Sequence, residues 1–154
     1  MLRVHSLPPA EIRDLFQVRA ALEGLAVTLL TTSPKRDAAV AALRTALLAL
    51  DDRHGDVSGH IDADLAFHQL LCELSGNSVL VDAWRNLEGR VRITILADGD
   101  DQHPKLMSAS HHAPIVDAIE AGDAAMAVRV VQDHMAHAAE RLAGPADSPT
   151  PASR

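Results

Sequence analysis

The sequence predicts an all-α fold, an antiparallel bundle of six helices. Three observations lead there. Apolar residues recur at the three-to-four spacing of one helix face, and no convincing stretch alternates with the period of two that a half-buried strand needs. Hydrophobic residues make up 47% of the 154 while aromatics make up 2%, so the core is built from small and aliphatic side chains, which suit close-packed helices. Short breaks rich in Pro, Gly, Ser, Asn and Asp separate the helical segments, and short connections make consecutive helices antiparallel neighbours.

The elements follow in order. Ser6-Leu7-Pro8-Pro9 precedes a first helix from about Ala10 to Thr31. Ser33 reads as an N-cap with Pro34 at the first helical position, starting a second helix that reaches about Arg53. His54-Gly55-Asp56 breaks it, and a third helix runs from about Ser58 to Leu74. Ser75-Gly76-Asn77 stops that one, and Asn77 or Ser78 caps a fourth, to about Ala97. Asp98 to Pro104 reads as a loop. A fifth helix ends at Gly122, and Asp123 directly caps a sixth, to about Leu142. Residues 1–9 are then a linker-like N-terminus, 10–143 a helical domain and 144–154 a disordered Pro- and Ser-rich tail.

Composition narrows the function classes. A net charge of −7 argues against a general nucleic-acid or acidic-membrane binder. The single cysteine, Cys72, has no internal partner for a disulfide, which fits a reducing cytoplasm, and it reads as a small buried apolar residue. No segment reads as a signal peptide, and no apolar run approaches the roughly 18 residues of a membrane span. The chain contains no E-x-x-H pair, H-E-x-x-H, phosphate-binding glycine loop or recognisable nucleophile motif.

The informative residues are polar ones on apolar stripes. At about 100° per residue, Val57, Ile61, Leu65, Leu71 and Cys72 mark the inner face of the third helix, and Asp64 and His68 fall near its centre. His112 shares the arc of Ile115, Val116 and Ile119. His134 shares that of Ala127, Val130, Val131 and Ala138. A buried carboxylate or imidazole is costly unless compensated. Asp64, His68, His112 and His134 therefore either pair with one another or collect a cation. Three imidazoles and a carboxylate suit a divalent metal such as zinc, nickel, iron or manganese, with coordination positions left for an oxygen ligand. His60 is the reserve ligand, while His111 and His137 point to the flanks and His5, His54 and His103 lie in or beside loops. Pro114 stands two residues beyond His112, so the fifth helix either begins near Ser110 or kinks, and a kink would make His111 the alternative ligand.

Arg19 and Glu23 repeat the pattern on the stripe of Ile12, Leu15, Phe16, Leu22, Ala26 and Leu29. They form an internal ion pair, or Arg19 faces a cavity where its planar fork grips a carboxylate. Arg90 and Arg92 flank the stripe of Leu80, Trp84, Leu87 and Val91 and are further candidates for anion binding.

Three stretches, DLFQVRAALEGLAV (14–27), DADLAFHQLLCELSGNSVL (62–80) and HAPIVDAIEAGDAAMAVRVVQDHM (112–135), together resemble the FCD domain. This is the effector-binding domain of FadR-type regulators in the GntR transcription-factor family, and the six-helix count is similar to the VanR-type subgroup. The resemblance implies a divalent metal on Asp64, His68, His112 and His134, and a small carboxylate effector held by the metal and by basic side chains, Arg19 first. It also implies a homodimer, and control of DNA binding through a winged helix-turn-helix that none of these residues resembles. Two other readings stay open on the residues alone: a metal-dependent, hydrolase-like enzyme, and a structural bundle with a satisfied polar cluster and no metal.

Overall fold

The computed structural model describes residues 7–51, 57–98 and 107–144. Among these are six helices and no strand: α1 (Pro9–Thr31), α2 (Arg36–Leu50), α3 (Val57–Leu74), α4 (Ser78–Asp98), α5 (Ala109–Ala121) and α6 (Ala124–Ala143). The fold is the all-α bundle that the periodicity predicts. The expected break at His54-Gly55-Asp56, the loop from residue 99 to Pro104, residues 1–6 of the linker-like start and residues 145–154 of the tail lie outside the described residues.

Side-chain pairs set the directions of packing. Arg13 on α1 donates to the carbonyl of Gly144 just beyond α6, whereas Gly24 on α1 faces Val128 near the start of α6, so the two run antiparallel. Arg44 in the middle of α2 bridges Asp117 and Glu120 on α5, and Asp51 at the end of α2 accepts the N–H of Ala109, the first residue of α5. On α3 and α4, Asp62 meets Arg92 and Glu73 meets Arg85, which again is antiparallel. The core holds Ile12, Leu43, Ile61, Leu71, Ile115 and Val131, with Phe16, Phe67 and Trp84 as its large side chains.

Most boundaries fall within a residue of the expected ones, and two differ for stated reasons. Ser33-Pro34 does not open α2. The Ser33 hydroxyl accepts the N–H of Lys35 and its carbonyl accepts that of Arg36, so the pair closes a turn and the helix begins after it. α2 also stops at Leu50, short of Arg53, where Asp51 turns its carboxylate to α5. In α5 the cap is Ser108, not Ser110: its hydroxyl accepts from His111 N–H at 3.3 Å and its carbonyl from His112 N–H at 3.3 Å. Pro114 therefore lies inside the helix, which continues through it. The proline deprives the Ser110 carbonyl of its helical donor, and both residues are exposed, where the lost bond is least costly. The α5–α6 junction is as tight as expected. Gly122 adopts φ 74°, and Asp123 accepts the N–H of Met126. A side chain at Gly122 would be strained by its φ and would also press on Arg36, whose Nη1 would lie 2.6 Å from a Cβ.

Leu43→Ala empties a fully buried position and is expected to cost about 2–5 kcal/mol of stability. Val79→Ala, at a side chain 75% exposed, is expected to change it by less than about 0.5 kcal/mol. Urea unfolding followed by helical circular dichroism compares the two, and equal losses would contradict this packing.

Candidate metal centre

α3 delivers Asp64 and His68 one turn apart on its inner face, both buried. His112 enters from the N-terminal part of α5, fully buried, and His134 from the middle of α6, half-buried. One ligand atom from each of His68, His112 and His134 can be chosen so that all three lie within 4.8 Å of one another. His68 Nε2 is 3.2 Å from His112 Nε2, and Asp64 Oδ1 is 2.7 Å from His112 Nε2 and 3.6 Å from His68 Nε2. Donor atoms around a tetrahedral zinc at 2.0–2.1 Å stand about 3.3 Å apart, so these separations fit a divalent ion.

The outward ring nitrogens explain the orientation. His112 Nδ1 donates to the Ser108 carbonyl at 2.9 Å. His68 Nδ1 meets the carboxylate of Glu23 on α1. Both imidazoles are thus held by Nδ1 and turn Nε2 to the centre, the arrangement by which second-layer acceptors orient metal-binding histidines. The Phe67 ring stands edge-on against both, 5.5 Å from His68 and 5.2 Å from His112 between centroids.

Glu23 is wholly buried and accepts from three donors. Besides His68 these are Arg19 Nε at 3.1 Å and Trp84 Nε1 at 3.3 Å. Burial alone would raise the Glu23 pKa, but His68 and Arg19 outweigh it and hold the carboxyl below its usual range. Asp64 is likewise held well below the carboxylate range by His68 and His112, against the opposing effect of burial. For His68 burial pulls downward, yet Glu23 and Asp64 prevail and push its pKa to about 9. Burial, His68 and His112 keep His134 neutral by lowering its pKa well below the usual value. The cluster thus sets the buried carboxylates of Glu23 and Asp64 against the guanidinium of Arg19 and the imidazole of His68.

Beside the cluster is a cavity of about 50 Å³. Asp64, His68, His134 and Arg19 line it, with Phe16, Ile95, Met135 and Leu142 as apolar wall. Arg19 is buried, lies 5.1 Å over the Phe16 ring, and leaves Nη2 without a hydrogen-bond partner. Arg19 thus pairs with Glu23 and also lines the cavity.

Arg90 and Arg92, the further anion-binding candidates, do not line this cavity. Arg90 is exposed, and Arg92 pairs with Asp62 and Glu88 away from the cavity, because their α4 positions turn outward from Trp84 and Val91. His60 is half-buried and outside the converging group, His137 is exposed, and His5, His54 and His103 lie outside the described residues. The through-helix course of Pro114 leaves His112 buried, while His111 reaches the cavity, its ring 4.9 Å from that of His134. Sequence reasoning missed Arg141, a cavity residue that also pairs with Asp98. Its position two turns after His134, on the same helix face, was the available signal.

A family model described as the FCD domain matches residues 14–137. The probable D-xylose utilization operon transcriptional repressor of Paenarthrobacter nicotinovorans is 32% identical over 136 residues, covering 87% of this chain and 59% of that protein. The Glc operon transcriptional activators of Escherichia coli strains K12 and O6:H1 are 27% identical over 143 residues, covering 88% of this chain and 56% of theirs. The chain thus spans a little over half the length of the curated relatives it matches.

The charges of the cluster give a pH dependence for the metal-free protein. His68 binds its proton more tightly folded than unfolded, so its contribution is complete below about 6.5 and disappears as pH rises through about 9. Asp64 and Glu23 act oppositely, their contribution present above the usual 3.8 and 4.5 and lost as pH falls. His134 adds to the acid side, because below about 6.5 the unfolded chain takes up a proton that the folded one refuses. Thermal melts in chelator are expected to peak at roughly pH 6–7 and fall on both sides. His68→Asn should flatten the alkaline limb, and a wild-type melting temperature that rises from neutral to alkaline pH would contradict the charge assignment.

Proposed function

The chain belongs to the FCD domain family, and from that premise we propose that it is the effector-sensing module of a GntR-type transcriptional regulator. In this reading a divalent metal and a buried arginine together bind a small carboxylate. The role is regulatory, not enzymatic, in keeping with relatives named as a transcriptional repressor and as transcriptional activators. An attached winged helix-turn-helix would read DNA, and effector occupancy would alter its placement. A homodimer in the cytoplasm completes the proposal.

One observation carries the ligand reading. Arg19 Nη2 is buried without a partner beside the same cavity that Asp64, His68 and His134 line. A buried guanidinium hydrogen without an acceptor is costly, and a carboxylate is the planar acceptor that it fits. Asp64, His68, His112 and His134 would hold the metal, and the bound ion would supply a Lewis-acidic position for a carboxylate oxygen. The cavity is small, which favours a short acid or the end of a longer one.

Charge balance supports the same ligand class. The buried cluster sets Glu23 and Asp64 against Arg19 and His68. Ligation needs the Nε2 electron pair of His68, so a divalent ion there displaces at most one proton and makes the site more positive. A carboxylate in the cavity offsets that added charge in a place where an uncompensated charge is expensive.

Elemental analysis of the purified protein is expected to find about one divalent ion per chain, and His68→Ala and His134→Ala should each lose it. Acetate should raise the melting temperature of the metal-loaded protein, and Arg19→Met should remove that rise. Metal-free protein, together with histidine variants that melt as the wild type does, would overturn the proposal.

A further inference from the structure

Glu23 lies outside the ring of atoms around the candidate metal position, yet it touches both halves of the site. One carboxylate oxygen meets His68 Nδ1. The other accepts Arg19 Nε at 3.1 Å and Trp84 Nε1 at 3.3 Å. All three donors and Glu23 itself are buried, so water offers no substitute for any of these bonds. The Arg19 bond uses Nε, while Nη2 stays buried without a protein partner on a residue that lines the cavity. The His68 bond uses Nδ1, which leaves Nε2 turned towards His112 and Asp64. A single side chain therefore fixes the aim of a candidate metal ligand and of a candidate anion grip, and the indole of Trp84 from α4 prevents it from favouring one at the expense of its own position.

We infer that Glu23 is the positioning residue of this site, aligning His68 for the metal and Arg19 for the anion and thereby coupling the two bound states. The inference rests on the metal and carboxylate reading above. Withdrawal of the Glu23 acceptor frees the His68 ring to rotate and to carry its proton on the nitrogen that a metal needs. It also frees Arg19 Nε to compete with Nη2 for an incoming carboxylate. Because binding free energies are linked, zinc and acetate each strengthen the other by the same factor in the wild type, and the alignment through Glu23 carries part of that factor.

The test uses the whole chain, zinc(II) measured by chelator competition, and acetate as the anion. Arg19→Met is expected to bind zinc at least as tightly as the wild type, since Glu23 still holds His68. Arg19→Met/Glu23→Leu replaces the buried ion pair by apolar groups, so no charge is stranded by the loss of its partner Arg19. It is expected to bind zinc about 10- to 100-fold more weakly than Arg19→Met. Glu23→Gln, which keeps an acceptor without the charge, should fall between wild type and the double variant in zinc affinity, and its acetate factor should drop towards one. Equal zinc affinity in Arg19→Met and the double variant would overturn the positioning role while leaving the metal centre standing. Should the double variant not fold, wild-type zinc affinity and a wild-type acetate factor in Glu23→Gln would overturn it equally. A wild-type chain that binds no zinc would instead overturn the metal reading, and this inference with it.

Discussion

The carboxylate of Glu23 is wholly buried and reaches Arg19 on its own helix, His68 on α3 and Trp84 on α4. A charge so placed tolerates little rotation of any helix that compensates it. If α3 turned by one residue, His68 would leave Glu23 and both would be stranded in an apolar core. The register of α1, α3 and α4 is thus specified by polar groups, where aliphatic packing alone would accept several neighbouring registers. Small residues serve the same arrangement from the other side. Gly24 on α1 lets α6 approach closely, with Val128 4.0 Å from where a Cβ on Gly24 would be. That approach brings His134 to the rings of His68 and His112.

Much of the architecture is legible in the sequence because its signals are local. Pro8-Pro9, Asn77 and Gly122-Asp123 mark helix ends by backbone rules that need no tertiary knowledge, and helical phase alone turns Asp64, His68 and His112 to the interior, where they are buried. Ser33-Pro34 misleads because a Ser hydroxyl can satisfy a turn as well as a helix start, and only the surroundings decide. Ser108 and Ser110 flank Ala109 and carry the same local signal for a helix start, and only the structure shows that Ser108 is the cap.

The site was less legible than the fold for a related reason. Phase says that Arg19 and Glu23 point inward but not what they meet, because the partners of Glu23 lie 45 and 61 residues away in sequence. Arg90 and Arg92 sit at the margin of their stripe, where an uncertainty of half a residue in phase decides between cavity and surface. Met107 and His111, which close one side of the cavity, come from the turn before α5 and its first turn, where periodicity has nothing to average over.

The cavity is lined by side chains of α1, α3, α4 and α6 together with residues at the start of α5. An occupant there bears on how α1 sits against its neighbours, since α1 supplies Arg19 and Phe16 to the wall and Glu23 to the network behind it. A ligand shifts such an arrangement only by the difference in its affinity for the states concerned. In the proposed reading that difference has two sources, charge and alignment. Metal without anion leaves added positive charge beside apolar walls, and anion without metal brings a third carboxylate up to two already buried. Glu23 holds His68 and Arg19 together, so ordering either grip orders the other. Cooperation between the two ligands then follows from the low dielectric of the site and from this shared alignment, and a module built this way responds to the acid in proportion to how completely its metal is bound.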